Sequence, residues 1–367
     1  MRIPNTVKRC DLRRSKCHCD ATQCQYLADF GGEVPGPKTS NSDLKKSLYF
    51  GPHFLCRDFI ILVFPLSSGL QKTLFWACVS YQVHFGLPPE TGSVPTSQTK
   101  WIANNIEKHN IVFVLHEGDI TDNNSKTQWE NASTSMGVLD GLVPYALVTG
   151  NHDMGVDGNC ESRSSLFNQY FPSSKYESDI TFGGVFESKK MENTYHLFEQ
   201  SETGWLILAL EFLPRNIVLE WANDIATSYQ DRKIIILTHS HLRDDNTLHK
   251  SEPDIAAHLG IASSTEGAND GINTWEKLIR RHRNMSLVFS GHYLGAARVT
   301  GIGNSGNKVF QLLSNYQGID EGGEGYLRLV KFDPSYNQVS VKTYSPYLNS
   351  YLDDDDNEFE LNEFDFI

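Results

Sequence analysis

The sequence predicts an α/β domain in which helices alternate with buried strands. Continuous apolar runs of strand length recur along the chain, and segments with helical periodicity separate them. The alternation itself is informative, because strand–helix–strand order is typical of parallel strands joined by helical crossovers. The chain has 367 residues, 39% of them hydrophobic, which is enough to bury a large core.

Five elements are predicted in the first half of this domain, in chain order. The apolar run Thr73–Ser80 predicts a strand covered on both faces. In Gln98–His109, Trp101, Ile102 and Ile106 fall on one helical stripe, which predicts an amphipathic helix. The next strand, helix and strand are predicted at Ile111–Leu115, Thr127–Leu139 and Pro144–Val148.

The second half repeats the alternation and adds hairpins. A turn at Glu202–Gly204 joins two predicted strands, and glycine-interrupted alternating runs over 296–344 predict antiparallel strands. The predicted strands are Thr194–Phe198, Trp205–Phe212, Lys233–Thr238 and Ser286–Ser290, and the predicted helices are Val218–Tyr229 and Thr274–His282.

Three regions follow from these patterns. Residues 1–70 show no sustained periodicity and are expected to form a poorly structured N-terminal extension. The periodic elements place one domain at 71–348. Residues 349–367 carry the acidic run Asp353–Asp356 and are expected to form a solvated, disordered acidic tail.

Cellular location is not determined by the sequence. The apolar run 59–66, followed by small residues, reads either as a signal-peptide core behind an unnatural upstream extension or as a buried strand. N-glycosylation triplets at Asn123, Asn131 and Asn284 tilt the interpretation toward secretion. Apolar runs all fall short of the roughly 18–20 residues of a transmembrane span, so none is expected.

Composition excludes some partners and leaves others open. Thirty-two basic against 45 acidic residues give a net charge of −13, so we expect no nucleic-acid partner, because phosphate backbones are bound by clustered lysine and arginine. A metal ion offers another way to hold a phosphate, since it supplies positive charge locally. Nothing in the sequence indicates the oligomeric state. Four crowded N-terminal cysteines lack the paired spacing of a structural zinc module: Cys10, Cys17, Cys19 and Cys24.

Polar residues follow four of the predicted buried strands. Ligands in α/β folds gather at the carboxyl ends of strands, and glycine allows the sharp turn that aims the next side chain into the cleft. A buried unpaired carboxylate costs several kcal/mol, which a shared cation would remove. The sequence therefore predicts a metal site at this edge. The four segments are His116–Asp119, Thr149–Asp153, His239–His241 and Gly291-His292.

These segments resemble the calcineurin-like metallophosphoesterases. That family has the ordered signature D-x-H, GD-x-x-D/N, GNH-D/E, a later His and GH-x-H, and the resemblance covers roughly residues 73–345. It implies a β-sandwich of two mixed sheets flanked by helices (αββα). Three further stretches are similar to a branch that has Gln in place of His in the first motif: Trp129–Ala132, Leu210–Phe212 and Asn315–Gln317.

The resemblance implies a site for two divalent ions, zinc, manganese or iron. Asp119 would bridge both ions, and Asn151, His239 and His292 would complete the shell of the second ion. A metal-held hydroxide would attack the phosphorus of a phosphate-ester substrate.

Two residues beside these ligands are expected to act on the substrate. His152 would stabilise the phosphoryl oxygens or protonate the leaving group. Asp153 would orient that imidazole through a hydrogen bond. Asp122 is expected to act as a hydrogen-bonded partner behind these groups or to cap the following turn.

The ligands of the first ion depart from the family pattern. Gln82 fits the first motif, but Ser80 stands where a carboxylate is expected, and a shifted register recovers His84 without an acid. Leu294 occupies the second histidine of GH-x-H, and His241 and His249 are spare histidines without a spacing rule. We therefore expect one tightly bound metal ion, and a second that binds weakly or only with phosphate, so one or two per chain.

The leading functional prediction is a phosphomonoesterase or phosphodiesterase. The alternative is a catalytically impaired protein of the same fold that acts as a binding module, or a sequence that is mispredicted before Gln82. Substrate choice is expected to lie in the loops Gly155–Tyr176 and Arg243–Asn273.

Overall fold

The computed structural model describes residues 94–250, 261 and 265–366, together with the backbone of 74–79. The first-motif residues Ser80, Gln82 and His84 lie outside the described residues, as does the N-terminal extension at 1–70.

Fourteen strands are described, and most lie where the sequence places them. The boundary between β5 and β6 differs from the prediction: β6 begins at Thr203, so the turn is confined to Ser201 and Glu202, which both have positive φ. The strands are β1 Leu74–Val79, β2 Ile111–His116, β3 Tyr145–Leu147, β4 Phe182–Val185, β5 Thr194–Gln200, β6 Thr203–Leu210, β7 Lys233–Thr238, β8 Met285–Ser290, β9 Gly295–Ile302, β10 Lys308–Asn315, β11 Leu327–Asp333, β12 Gln338–Ser345, β13 Ser350–Leu352 and β14 Glu358–Asn362.

Six α-helices connect these strands within the described residues. Two predicted helices end in a 3₁₀ turn, at Gly137–Leu139 and Ile279–Arg281. The α-helices are α1 Val94–His109, α2 Lys126–Met136, α3 Phe167–Tyr170, α4 Asn216–Ser228, α5 Gly271–Lys277 and α6 Asp320–Gly323.

The strands form two mixed sheets of seven strands each. The first sheet has the order β13-β12-β11-β1-β2-β3, with β14 also paired to β12, and its β1, β2 and β3 are parallel. The second has the order β4-β5-β6-β7-β8-β10-β9, and β6, β7, β8 and β10 are parallel. The carboxyl ends of β2 and β3 therefore share one edge of the first sheet, and those of β7 and β8 share one edge of the second.

Three apolar layers show how the sheets pack. One cluster fills the space between the sheets, where Phe113 and Leu115 of β2 meet Trp205 and Ile207 of β6. A second cluster joins the outer face of the first sheet to α1 and α2, and a third joins the outer face of the second sheet to α4. The predicted αββα class is confirmed.

His196 is a buried histidine inside this sandwich. It lies on β5, is 2% exposed, and its ring is 5.4 Å from that of Phe113 and 5.5 Å from that of Phe182. Burial lowers the pKa of His196 to about 4, and Asp179 offsets this only in part. The folded protein therefore holds the ring neutral down to about pH 4.

The loss of stability in acid is expected to depend on His196. The unfolded chain binds a proton near pH 6.5 and the folded protein only near pH 4, so the free energy of unfolding falls as the pH drops through this window. His196→Gln keeps a polar partner for Thr194 and removes the titration. We expect the loss between pH 7 and 4.5, measured by urea unfolding, to shrink by roughly 2 kcal/mol. The control His109→Gln, at the end of α1, should change it by less than about 0.5 kcal/mol. Equal losses in both variants would show that His196 is not held neutral.

The C-terminal region differs from the expected acidic tail. β13 and β14 both pair with β12, and Asp353–Asp356 lies between them. Phe364 and Phe366 are 1% and 7% exposed and join the cluster between the sheets. Residues 349–366 are thus part of the sandwich, and the acidic run is a surface connection.

Two observations concern the helices and one of the glycosylation triplets. None of the helices in the described part of the chain is long and apolar enough to cross a membrane. Asn284 is 6% exposed, and its amide donates hydrogen bonds to the carbonyl oxygens of Tyr229 and Arg232 at 3.0 and 2.9 Å. That triplet is therefore inaccessible to glycosylation in the folded protein.

Candidate metal centre

The predicted ligands meet where the two sheets come together. Asp119 follows β2 and Asn151 follows β3, whereas His239 and His292 follow β7 and β8 of the other sheet. Oδ2 of Asp119 lies 3.2 Å from Nε2 of His239. This contact joins the two sheets at the edge formed by the carboxyl ends of their parallel strands.

Four donor atoms converge at this edge. Oδ1 of Asn151 lies 3.1 Å from Nε2 of His239 and 2.9 Å from Nδ1 of His292, and these two nitrogens are 3.2 Å apart. We call these three atoms and Oδ2 of Asp119 the donor cluster. Ligand bonds of roughly 2.0–2.1 Å in a tetrahedral shell place donor atoms about 3.3 Å from one another. The separations in the cluster are close to that value.

The composition of the donor cluster also suits a divalent ion. Among the residues that the structure describes, no group of three or more His, Cys, Asp or Glu side chains is arranged to hold a metal on its own. The amide oxygen of Asn151 is the member that contacts both imidazoles. Two nitrogens, one amide oxygen and one carboxylate suit zinc, manganese or iron. The residues fit a metal ion as a set of four that includes Asn151.

His239 is held in the orientation that a ligand requires. Its Nδ1 lies 2.7 Å from the carbonyl oxygen of Glu117, which can only accept a hydrogen bond. Nδ1 therefore carries the proton, and the lone pair of Nε2 faces the donor cluster. A backbone carbonyl behind a ligating histidine fixes both its tautomer and its ring orientation.

Close packing of the loops needs glycine at two positions. Gly118 has a φ of +92°, and a Cβ there would lie 2.8 Å from Nδ1 of His239. A Cβ on Gly150 would lie 2.1 Å from Oδ1 of Asp119. Asp119 and His292 themselves have φ values of 51° and 72°, a conformation costly for residues with side chains. Such strain is found mostly at functional sites.

Asp153 braces the backbone and does not make the predicted contact with His152. Its Oδ2 accepts hydrogen bonds from the N–H groups of Gly150 and Ile120 at 2.8 and 3.0 Å. Its Oδ1 accepts from the N–H and the hydroxyl of Thr121 at 2.7 and 3.0 Å. Both oxygens are thus committed to the loops that carry Asp119 and Asn151. Asp153 therefore contacts these loops, and its predicted hydrogen bond to His152 is not formed.

Asp122 is the residue that holds His152. Nδ1 of His152 lies 2.8 Å from the carbonyl oxygen of Asp122 and 3.7 Å from its carboxylate. The backbone N–H of His152 donates to Oδ1 of Asp119 at 3.1 Å. The His152 side chain is 38% exposed, so part of the imidazole is accessible beside the donor cluster.

Asp119 and His292 have the protonation states that metal binding requires at neutral pH. Burial raises the pKa of Asp119, but the charge and hydrogen bond of His239 outweigh it, so the pKa is lowered. Burial and the neighbouring His239 lower the pKa of His292 to about 3. Burial and Asp119 raise the pKa of Asp153 to about 7, although backbone N–H groups oppose this. A cation would offset the charge of Asp119 and favour ionised Asp153.

Few candidate ligands are described on the side where the resemblance places the first ion. Leu294, at the position of the second family histidine, is 58% exposed. Nε2 of the spare His241 lies 2.6 Å from Oε1 of Gln311, which occupies that nitrogen. The other spare histidine, His249, approaches the site, with its ring 6.0 Å from that of His292. Gln82 lies outside the described residues.

The sequence analysis singled out Leu210–Phe212 for its resemblance to the family but did not predict that Phe212 lies beside the donor cluster. The buried ring of Phe212 lies 5.5 Å from the His239 ring and 5.3 Å from the His292 ring. The guanidinium of Arg163 donates to the carbonyl oxygens of Phe212 and Leu213 at 2.9 and 2.7 Å, which holds this segment. An aromatic residue just after a buried strand, at the edge that carries the other site residues, is the signal that could have identified it.

Comparison with known proteins adds independent evidence. A family model described as calcineurin-like phosphoesterase matches residues 93–295. The uncharacterized protein YvnB of Bacillus subtilis strain 168 is 32% identical over 269 residues, which cover 70% of this chain. The chain spans only 19% of the length of that curated relative.

Several solved structures are similar at low sequence identity. The purple acid phosphatase PPD1 of yellow lupin is 13% identical with a TM-score of 0.46, over 80% of this chain and 54% of that one. GAP50 of Plasmodium is 11% identical with a TM-score of 0.42, over 80% and 91%. The family match extends across Asp119, Asn151, His239 and His292 and covers more than half of the sequence. The chain therefore belongs to the calcineurin-like phosphoesterase family.

Proposed function

We propose that this chain is a metal-dependent hydrolase of phosphate esters, acting on monoesters or diesters. The donor cluster, with the accessible imidazole of His152 beside it, is the observation that carries the proposal. Family membership supports the same reaction class, because calcineurin-like phosphoesterases generally bind divalent metals.

Asp119, Asn151, His239 and His292 are the residues proposed to hold the metal. When bound, a divalent ion supplies positive charge for phosphoryl oxygens and lowers the pKa of a coordinated water. The protein contributes a preorganised shell: the Glu117 carbonyl orients His239, and Asp153 fixes the loops of Asp119 and Asn151. The rigid shell avoids reorganisation at the moment of reaction.

His152 is proposed to contact the phosphoryl group or the leaving-group oxygen. Nδ1 of His152 donates its proton in a hydrogen bond to the Asp122 carbonyl oxygen. In the neutral ring Nε2 therefore carries no proton, and it can donate a hydrogen bond only when the imidazole is protonated on both nitrogens. The doubly protonated ring would place a positive charge beside phosphoryl oxygens, with the Asp122 carboxylate 3.7 Å away to stabilise it. Asp153 has no proposed part in this step.

The number of ions is proposed to be one tightly held and a second held weakly. The tight position is the donor cluster. The weaker position would use Asp119 and Gln82, with Leu294 in place of an imidazole. The exposed Leu294 is also the observation that favours the second candidate function, a binding module of the same fold without turnover.

Turnover assays with added manganese or zinc test the proposal. We expect hydrolysis of an aryl phosphate or an aryl phosphodiester, and a loss of roughly a hundredfold or more in kcat/KM for Asn151→Ala and His292→Ala. The control His282→Ala removes a histidine that lies before β8, at the opposite end from His292, and should retain activity within about threefold.

Three outcomes separate the candidates. Loss in both ligand variants but not in His282→Ala supports the hydrolase. Activity that survives both substitutions would show that the site assignment is wrong. Tight metal binding without turnover of either substrate would favour the binding module.

A further inference from the structure

Three side chains border the donor cluster next to His292, and no step above uses them. The ring of Tyr293 lies 4.9 Å from that of His292 and 5.3 Å from that of His249, edge to face in both cases. The guanidinium carbon of Arg243 lies 5.2 Å from the centre of the Tyr293 ring. We call Arg243, His249 and Tyr293 the flanking group.

Arg243 carries a charge that acts on the exposed Asp245, but no close ion pair holds it in the described part of the chain. It is half-buried, and it forms no ion pair with any of the residues at 94–250, 261 or 265–366. Its backbone is fixed in a hairpin, where its N–H donates to the carbonyl oxygen of Thr247 at 2.8 Å and Leu242 pairs with Leu248. The protein has a net charge of −13, so acids are abundant elsewhere on the chain. A partly desolvated guanidinium that lacks a close ion pair among the described residues is suited to an external anion.

His249 adds a second polar atom that lacks a partner. It is 1% exposed, and its Nδ1 lies 2.8 Å from the hydroxyl oxygen of Ser240. Its Nε2 is buried and has no hydrogen-bond partner in the described part of the chain. Buried polar atoms are nearly always paired, so this nitrogen is available to hydrogen-bond a group bound beside it.

Distance decides which part of a substrate the flanking group can reach. The 5.2 Å from Arg243 to the Tyr293 ring and the 4.9 Å from that ring to His292 place the cation within about 10 Å of the His292 ring. An ester bound at the donor cluster with its leaving group directed toward Tyr293 would bring a second anionic substituent of that leaving group within reach of Arg243.

We propose that the flanking group is an anion subsite, which selects phosphate esters whose leaving group carries a second negative charge. This proposal rests on the phosphate-ester hydrolase function and adds the substrate class. Arg243 pairs with the second anion, Tyr293 holds the guanidinium, and Nε2 of His249 hydrogen-bonds the same substituent.

A matched pair of non-hydrolysable probes tests the subsite without turnover. Phenylphosphonate and 4-carboxyphenylphosphonate differ by one carboxylate. Calorimetric titration into the full chain with added manganese should show at least fivefold tighter binding of the carboxylated probe. Arg243→Ala should abolish that preference and leave the affinity for phenylphosphonate within about twofold. Arg243→Lys should retain part of the preference, and His249→Asn should reduce it.

Arg283→Ala is the matched control, because it removes an exposed arginine just before β8, at the opposite end of the strand from His292. It should leave the preference unchanged. Equal binding of the two probes by the parent, or a preference that survives Arg243→Ala, would overturn the subsite while leaving the hydrolase function standing. Failure of the parent to bind either probe would overturn both.

The same pair as esters gives the kinetic readout. The ratio of kcat/KM for 4-carboxyphenyl phosphate to that for phenyl phosphate should fall about fivefold or more in Arg243→Ala, through a higher KM for the carboxylated ester. A uniform loss for both esters would contradict a specificity role and indicate that Arg243 only supports the fold.

Discussion

Phe364→Ala is expected to lower the free energy of unfolding by about 3–5 kcal/mol. Phe364 is 1% exposed, and its ring lies 5.9 Å from those of Phe310 and Phe332. These two partners belong to opposite sheets, so truncation would open a cavity between the sheets. The N–H of Phe364 donates to the carbonyl oxygen of Asn337 at 2.7 Å, so the backbone cannot easily move to fill it. Denaturant unfolding of parent and variant measures the difference.

Tyr336→Ala is the matched control for this substitution. Tyr336 is also an aromatic residue near the same end of the sandwich, but it is 76% exposed, so its removal should cost less than about 0.5 kcal/mol. Equal losses in the two variants would show that the C-terminal strands do not pack into the core.

The C-terminal segment shows why a local pattern can mislead. The prediction of a disordered tail rested on four consecutive aspartates, which in the structure only connect β13 to β14. The alternation in Glu358–Asn362 is a strand signal, since Phe359 and Leu361 face inward between acidic residues. Its burial depends on pairing with β12, which is a contact with residues about twenty positions earlier. A short stretch of sequence shows the acidic run, but it does not show that β14 pairs with β12.

Much of the fold could be predicted because strands that are buried on both faces appear in the sequence as continuous apolar runs. The apolar runs at Lys233–Thr238 and Met285–Ser290 needed no partner to be identified as strands. Since the carboxyl ends of parallel strands share an edge, the prediction also brought Asp119, Asn151, His239 and His292 together, and the structure places them in contact.

Hydrogen-bond partners at the site were harder to predict than positions. Asp153 was expected to hold His152, but adjacent side chains on a tight loop point in different directions, and Asp122 from another loop takes that place. The approach of His249 to His292 likewise depends on the hairpin Leu242–Leu248, whose register has no apolar periodicity to reveal it.

His239→Ala is expected to weaken metal binding at the proposed tight site by about a hundredfold or more. The substitution removes Nε2, which lies within 3.2 Å of donor atoms from Asp119, Asn151 and His292. Metal content of protein purified without chelator should be about one equivalent for the parent and near zero for the variant. His282→Ala should match the parent. Two tightly held equivalents in the parent would contradict the weak second position.

The pH dependence of metal affinity provides a separate check on His239. Burial lowers its pKa, but the charge and hydrogen bonds of Asp119 and the Glu117 carbonyl outweigh this, so the pKa is raised above 6.5. A metal must displace that proton, so affinity should fall as the pH drops below this pKa, by up to about tenfold per unit. Burial and His239 lower the pKa of His292 to about 3, so it adds nothing to this slope above pH 4. An affinity independent of pH between 5 and 8 would show that His239 is not a ligand of the tight ion.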